Sequence, residues 1–183
     1  MKGLLVLLTL LLVGCTSPRN IPTYSAVPDF SLTERSNRPI TRADLNGKVW
    51  VADFIFTQCG GICPTMSSNM EKLQERLPKE VMLISFSVDP TNDTPEVLTE
   101  YAKRYNADPE RWLFLTGDAE ALRRLSIDGF KLALDPTSGT EAEPITHSSR
   151  FALVDRKGNL RGYYGMEDAD TLARIVADVK NLL

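Results

Sequence analysis

Cys59 and Cys63 flank the short run Gly60-Gly61-Ile62, directly after the apolar stretch Val49-Trp50-Val51-Ala52-Asp53-Phe54-Ile55-Phe56. Two thiols at this spacing can close a short disulfide or offer two sulfurs to a soft metal ion. The two glycines let the loop double back, and Pro64 has the fixed backbone angle that suits the first turn of a helix. Cys63 is therefore expected at a helix start, where unpaired N–H groups and the positive end of the dipole favour thiolate over thiol. His147 is the only histidine in the chain. Two thiolates suit Cu(I), and an imidazole beside them makes a site that also holds Cu(II). A structural zinc site takes similar donors but closes a set of four, and the sequence supplies no obvious fourth. A disulfide closing so small a loop gains little from loop entropy, so stabilisation alone is a weak explanation for the pair.

The elements that must bring these donors together read as an alternating pattern. The apolar run before Cys59 is too short for a typical helix and reads as a buried strand. Before it, Pro28 to Thr33 alternates like a half-buried strand, with Arg38-Pro39-Ile40 as a hairpin mate. After it, Met66, Met70, Leu73 and Leu77 recur at helical spacing, closed by Pro78. Thioethers bind Cu(I), but methionines on a helix face read first as core filler. Val81 to Val88 is a second buried strand, and Asp93-Thr94-Pro95-Glu96 opens a helix with Thr94 as cap, running to about Tyr105. Trp112 to Leu115 is a short strand, Asp118 to Leu125 a short helix, and Phe130 to Leu134 a further strand. Asp135 to Thr146 reads as a loop that delivers His147. Ser149 to Asp155 and Leu160 to Tyr164 form a hairpin, and Asp168 to Leu182 a final amphipathic helix.

This order is that of an α/β, thioredoxin-like domain: a central mixed sheet flanked by helices, with an N-terminal β-hairpin extension. Parallel strands need right-handed crossovers, so the cysteine loop should emerge at the carboxyl end of its strand. In that topology the strand opened by His147 lies antiparallel beside the cysteine strand, bringing the imidazole to the same sheet edge. Asp89 ends the second buried strand on that edge, as an electrostatic neighbour or weak ligand of the site, or as the start of a turn before Pro90.

Residues 1–14 read as a leader rather than as fold, with Lys2, the apolar run Leu4 to Val13, and a small residue before Cys15. The pattern resembles a bacterial lipoprotein signal, which implies cleavage before Cys15, acylation of that cysteine, and a lipid anchor in the cell envelope facing outside the cytoplasm. Residues 15–28, with three prolines, then read as a lipidated tether, and residues 29–183 as the folded domain. Cys59 and Cys63 are the only other cysteines, and outside the cytoplasm such a pair tends to oxidise unless reduced or occupied. A chain of 183 residues with a net charge of −3 gives no electrostatic reason to expect a nucleic-acid partner.

Three ordered blocks carry a family resemblance. Phe56-Thr57-Gln58-Cys59-Gly60-Gly61-Ile62-Cys63-Pro64-Thr65, Ser87-Val88-Asp89-Pro90 with Asp93-Thr94-Pro95-Glu96, and His147-Ser148-Ser149-Arg150-Phe151 through Asp155 resemble the Sco/SenC family of copper proteins. The resemblance implies a membrane-tethered domain binding one copper ion through Cys59, Cys63 and His147. It implies a role in assembling the copper centre of cytochrome c oxidase, by delivering copper to the copper-site subunit or by reducing its cysteines. A redox or copper sensor is a third use of the same constellation. Gly60-Gly61 stands where many members carry Pro-Asp, and Thr146 where an aspartate often precedes the histidine. Asp53, six residues before Cys59, resembles the buried aspartate of thioredoxins that assists proton transfer at the second cysteine. Arg150, on the neighbouring strand, is the alternative partner that would simply neutralise it. Ser148 falls near the cis-proline position of thioredoxins without being proline, which leaves room for His147 and argues against a general disulfide oxidoreductase.

Overall fold

The computed structural model describes residues 20–135 and 145–183. The leader, Cys15 and residues 136–144 of the loop before His147 lie outside the described residues. Strands β3 (Trp50–Ile55), β4 (Met82–Ser87) and β5 (Trp112–Thr116) run parallel at the centre of the sheet. Nearly every residue in them is buried, as expected of strands covered on both faces. On one side β1 (Ser31–Glu34) pairs antiparallel with β5 and carries β2 (Pro39–Thr41) as its hairpin mate. On the other, β8 (Arg150–Val154) pairs antiparallel with β3 and then with β9 (Leu160–Gly165). The seven-stranded order is β2-β1-β5-β4-β3-β8-β9.

Helices α1 (Cys63–Arg76), α2 (Pro95–Lys103), α3 (Ala119–Arg124) and α4 (Thr171–Leu182) complete the fold. Their starts follow local chemistry. Thr94 accepts from the Val97 N–H, and Asp118 accepts from the Ala121 N–H at 2.8 Å. The Arg111 guanidinium donates to the carbonyls of Gln74, Leu77, Pro78 and Val81, tying the end of α1 to the strand that follows. One face of the sheet holds an aromatic cluster of Trp50, Phe54, Phe86 and Phe130. The other carries Trp112 and Phe114, with Tyr101 of α2 packed on Phe114.

The stretch Phe130 to Leu134 differs from the sequence expectation of a strand. Helix α3 runs on into a π turn at Leu125–Gly129, and Lys131 has a φ of 55°, which is incompatible with an extended chain. The apolar residues there report burial of the Phe130 ring in the aromatic cluster rather than strand pairing. Only Leu134–Asp135 is extended, as β6, pairing with β7 (Thr146–His147).

Part of the segment read as a tether is docked. The Tyr24 and Val27 N–H groups donate to the carbonyls of Leu160 and Gly158, and Leu160 donates back to Ser25. Arg161 fastens this strap: Nε donates to the Pro22 carbonyl at 2.8 Å, Nη2 to the Ile21 carbonyl at 2.7 Å, and Nη1 pairs with Asp155 at 2.9 Å. Arg161→Ala should release the strap, accelerating amide exchange at Tyr24 and Val27 at least about tenfold and costing about 2 kcal/mol of stability. Hydrogen-exchange mass spectrometry checks this; exchange spread evenly over β3 to β5 instead would show that Arg161 supports the whole fold.

Candidate metal centre

The donor set is assembled at the carboxyl edge of the parallel strands. β3 stops at Ile55, the loop turns at Thr57 to Ile62, and Cys63 is the first residue of α1 with Pro64 behind it. His147 ends β7, whose pairing with Leu134 and the Ser148 N–H bond to the Ala133 carbonyl at 3.0 Å hold it against the cysteine loop. Cys63 Sγ and His147 Nε2 are 3.1 Å apart across 84 positions of sequence. The Phe56 ring meets the imidazole edge to face at 5.6 Å between centroids.

Cys59, Cys63 and His147 present their ligand atoms within 4.8 Å of one another, and both cysteines are free thiols. Donors that each sit about 2.0–2.3 Å from a shared ion lie up to about 4.6 Å apart, so one ion fits with small inward movement. The chemistry of the set agrees, with two soft sulfurs and one imidazole. His147 Nδ1 lies 3.2 Å from the Ser148 carbonyl, which can only accept. Nδ1 therefore carries the proton, leaving the Nε2 lone pair facing Cys63. The imidazole is held in the tautomer a metal ligand needs.

The fold brings the three sequence-predicted donors together, but the ionisation expected of Cys63 differs. That residue is wholly shielded from solvent, and desolvation pushes its thiol well above the ordinary range. Burial outweighs the helix N-terminus, because removing a thiolate from water costs more than one dipole end returns. Cys59 is 6% exposed and is followed by two exposed glycines, so it is the sulfur nearer to solvent.

Asp53 lies on β3 beneath this loop, completely buried. Its partner is Ser85, whose hydroxyl donates to Oδ1 at 2.6 Å, while Trp112 Nε1 donates to Ser85 Oγ at 2.9 Å. Arg150 is exposed at the start of β8 and is not the neutralising partner that the sequence suggested. Among the described residues Oδ2 of Asp53 has no hydrogen-bond partner. Desolvation raises this carboxyl to about 7, opposed by the Ser85 bond. Asp89 belongs to a turn: its carbonyl accepts the N–H groups of Asn92 and Asp93, and Oδ2 accepts from Asn92 Nδ2 at 2.7 Å. It is not among the residues whose ligand atoms converge. Met66 and Met70 are wholly buried core residues.

Sequence reasoning noted Asp93 only as part of a helix opening. It is fully buried, and both its oxygens turn to the cysteine loop and to β4. Burial pushes its carboxyl up, while bonds from Ser87 and Thr57 pull it back. The available signal was an unpaired acid in a short polar run next to a strand that ends in serine.

A thioredoxin-like domain carrying a Cys-Cys-His donor set at the active edge of its sheet is a thiol-based metal-binding protein by fold and site. The model of the SCO1/SenC family matches residues 19–183, and the chain belongs to that family. Three solved structures illustrate the likeness. A SCO1/SenC family lipoprotein from Bacillus anthracis str. Ames is 34% identical with a TM-score of 0.80, covering 91% of this chain and 99% of that one. BsSco, a member of the Sco family of cytochrome c oxidase assembly proteins in which a disulfide switch was identified, is 34% identical with a TM-score of 0.77, covering 91% and 98%. Copper-bound ScoI from Bradyrhizobium japonicum is 26% identical with a TM-score of 0.72, covering 87% and 100%.

The raised carboxyl of Asp53 fixes a sign. The folded protein holds that proton more tightly than the unfolded chain, so its contribution is full below about pH 4 and is lost as pH rises through about 7. Moving a carboxyl from about 4 to about 7 corresponds to about 4 kcal/mol over that window. Asp53→Asn should flatten the fall in unfolding free energy between pH 4 and 8, measured by urea titration of the reduced protein. An Asn variant with the wild-type slope would place the titrating group elsewhere.

Proposed function

We propose that this protein is a membrane-anchored copper metallochaperone that binds one copper ion through Cys59, Cys63 and His147, for assembly of the copper centre of cytochrome c oxidase. The observation that carries this reading is the convergence of two sulfurs and an oriented imidazole within 4.8 Å. Family membership adds weight, as do a copper-bound relative and a relative described as an oxidase assembly protein. Bound copper would supply a soft, thiol-seeking charge that alternates between two oxidation states.

The protein's part is to hold and release. In the dithiol state both sulfurs can donate, and His147 offers Nε2 because the Ser148 carbonyl holds the other nitrogen protonated. In the disulfide state no thiolate remains, so binding is switched off by the redox state of one cysteine pair. The burial of Cys63 excludes water from one side of the site, and the exposed glycines beside Cys59 leave the other side open to a client.

Envelope anchoring through lipid on Cys15 fits the leader pattern and the lipoprotein relative. Residues 16–20 would then bridge the lipid and the docked strap, a reach of at most about 20 Å. The strap runs antiparallel to β9, so its Ile21 end points to the sheet edge that carries the metal centre. Such a short leash would keep the site near membrane-embedded clients. Among the described residues no helix is long and apolar enough to cross a membrane.

A second reading, thiol-disulfide reduction of a client's copper-ligating cysteines, draws on Asp53, a buried carboxyl with an unpartnered oxygen poised near neutrality. Titrating the reduced, detergent-solubilised chain with Cu(I) and Cu(II) separates the two. A chaperone binds one copper per chain and shows thiolate-to-Cu(II) charge transfer, and His147→Ala weakens Cu(II) binding at least about tenfold. Reduced protein that leaves both thiols countable and takes up no copper, yet exchanges disulfides, would hand the function to the reductase reading.

A further inference from the structure

β3 and β4 part company just before the cysteine loop. The last main-chain bond between them runs from the Val88 N–H to the Ile55 carbonyl at 2.9 Å. Beyond that point Thr57 has no β4 partner, and the chain must still be aimed so that Cys59 reaches Cys63. Asp93 supplies the missing rung from the side. Its Oδ1 accepts the Thr57 hydroxyl at 2.5 Å, and the Thr57 N–H is shared between Oδ1 and Oδ2 at 3.2 and 3.3 Å. Oδ2 also accepts the Ser87 hydroxyl at 2.6 Å, and Ser87 Oγ in turn accepts the Asp89 N–H at 3.1 Å. One fully buried carboxylate thus joins the residue after Phe56 to the last residue of β4.

Cys63 has its own restraints, as the first residue of α1 and a neighbour of His147. Cys59 has fewer. Its N–H donates to the Phe56 carbonyl at 3.3 Å, and the residues after it are two glycines, which add no stiffness. On the strand side of Cys59, which is itself packed in the core, the nearest side-chain clamp is at Thr57, two residues earlier.

We propose that Asp93 is a positioning residue for the cysteine loop: by clamping Thr57 to Ser87 it sets the distance and angle of Cys59 Sγ relative to Cys63 Sγ and His147 Nε2. The clamp deepens the metal-site reading and rests on it for the copper consequence alone. Its effect on the disulfide is independent of metal. Two thiols held close have a high effective concentration for each other, and loosening one lowers the tendency of the pair to oxidise.

The test uses Asp93→Ala, Asp93→Asn and Thr57→Val, none of which removes a donor atom of the centre. Two quantities are read on the full chain: the dithiol–disulfide equilibrium in a glutathione buffer with thiol counting, and the Cu(II) charge-transfer spectrum of the reduced protein. Asp93→Ala should move the redox equilibrium toward dithiol at least about tenfold, which is about 30 mV for this two-electron couple, and should shift the copper band. Thr57→Val, which loses only the hydroxyl, should move both in the same direction by less. Asp93→Asn, which keeps the shape and an accepting oxygen, should stay nearer to wild type than Asp93→Ala. A merely structural Asp93 would lower the unfolding midpoint and leave both readouts unchanged in folded protein, which would overturn the proposal. Should Asp93→Ala fail to fold, Thr57→Val decides: wild-type values there overturn it equally. Wild-type protein that binds no copper would sink the metal reading, and the redox comparison alone would then decide the role of Asp93.

Discussion

Cys63 Sγ and His147 Nε2 meet because β8 lies antiparallel beside β3 in one register. β3 runs toward the site edge and ends there, and β8 begins from the same edge at Arg150, so the segment that leads into β8, with His147 three residues ahead of it, lies by the loop that leaves β3. A slip of one residue in that ladder would carry the segment leading into β8 about 3.4 Å along the strand, more than a metal–ligand bond length, and turn the β8 side chains to the other face. The ladder resists that slip because both strands are buried and every displaced rung leaves main-chain groups without partners. β6 and β7 add a second fastening by pairing Leu134 with His147 itself. Strand pairing therefore brings His147 to Cys63, while the cysteine loop places Cys59 beside them.

Burial and ionisation pull against each other at this edge. Excluding water from Cys63 keeps its thiol protonated, although a metal ligand must be a thiolate. The same low dielectric that penalises a lone thiolate strengthens its attraction to a bound cation. A dry pocket with a poised acceptor nitrogen at 3.1 Å therefore discriminates between the resting site and an occupied one more sharply than an exposed pair would. With Cys63 wholly shielded and Cys59 6% exposed, one sulfur is protected and the other lies nearer to solvent.

Much of this was legible in the sequence, for identifiable reasons. β3, β4 and β5 announce themselves as continuous apolar runs because they are covered on both faces. α1 and α2 announce themselves through proline at the first turn and helical spacing of buried residues. Cys59, Cys63 and His147 stand out because a scarce residue type at a sheet edge has few other reasons to be there. The failures were those of context. Phe130 looked like a strand residue because apolar character reports burial and not backbone angle. The docked strap at residues 21–27 looked like linker because proline and polar residues carry no sign of the Arg161 side chain that fastens them. Cys63 looked like a thiolate because a helix start is visible in sequence and desolvation is not.

The two buried carboxylates show how one residue type is put to opposite uses. Asp93 receives donors at both oxygens, so the cost of burying it is offset by bonds that tie three segments together. Asp53 receives the Ser85 hydroxyl at one oxygen, and its other oxygen has no partner among the described residues. A carboxyl satisfied at both ends is a fixture, whereas one with a spare oxygen and a value near 7 can hold or give up a proton at working pH. Negative charge on Asp53 also pushes the Cys63 thiol further up, so the two groups disfavour being ionised together. Cys63 is a neutral thiol in the dithiol state, so this repulsion acts only when Cys63 gives up its proton. Burial therefore acts on both groups in the same direction, holding the Asp53 proton and the Cys63 proton in place together.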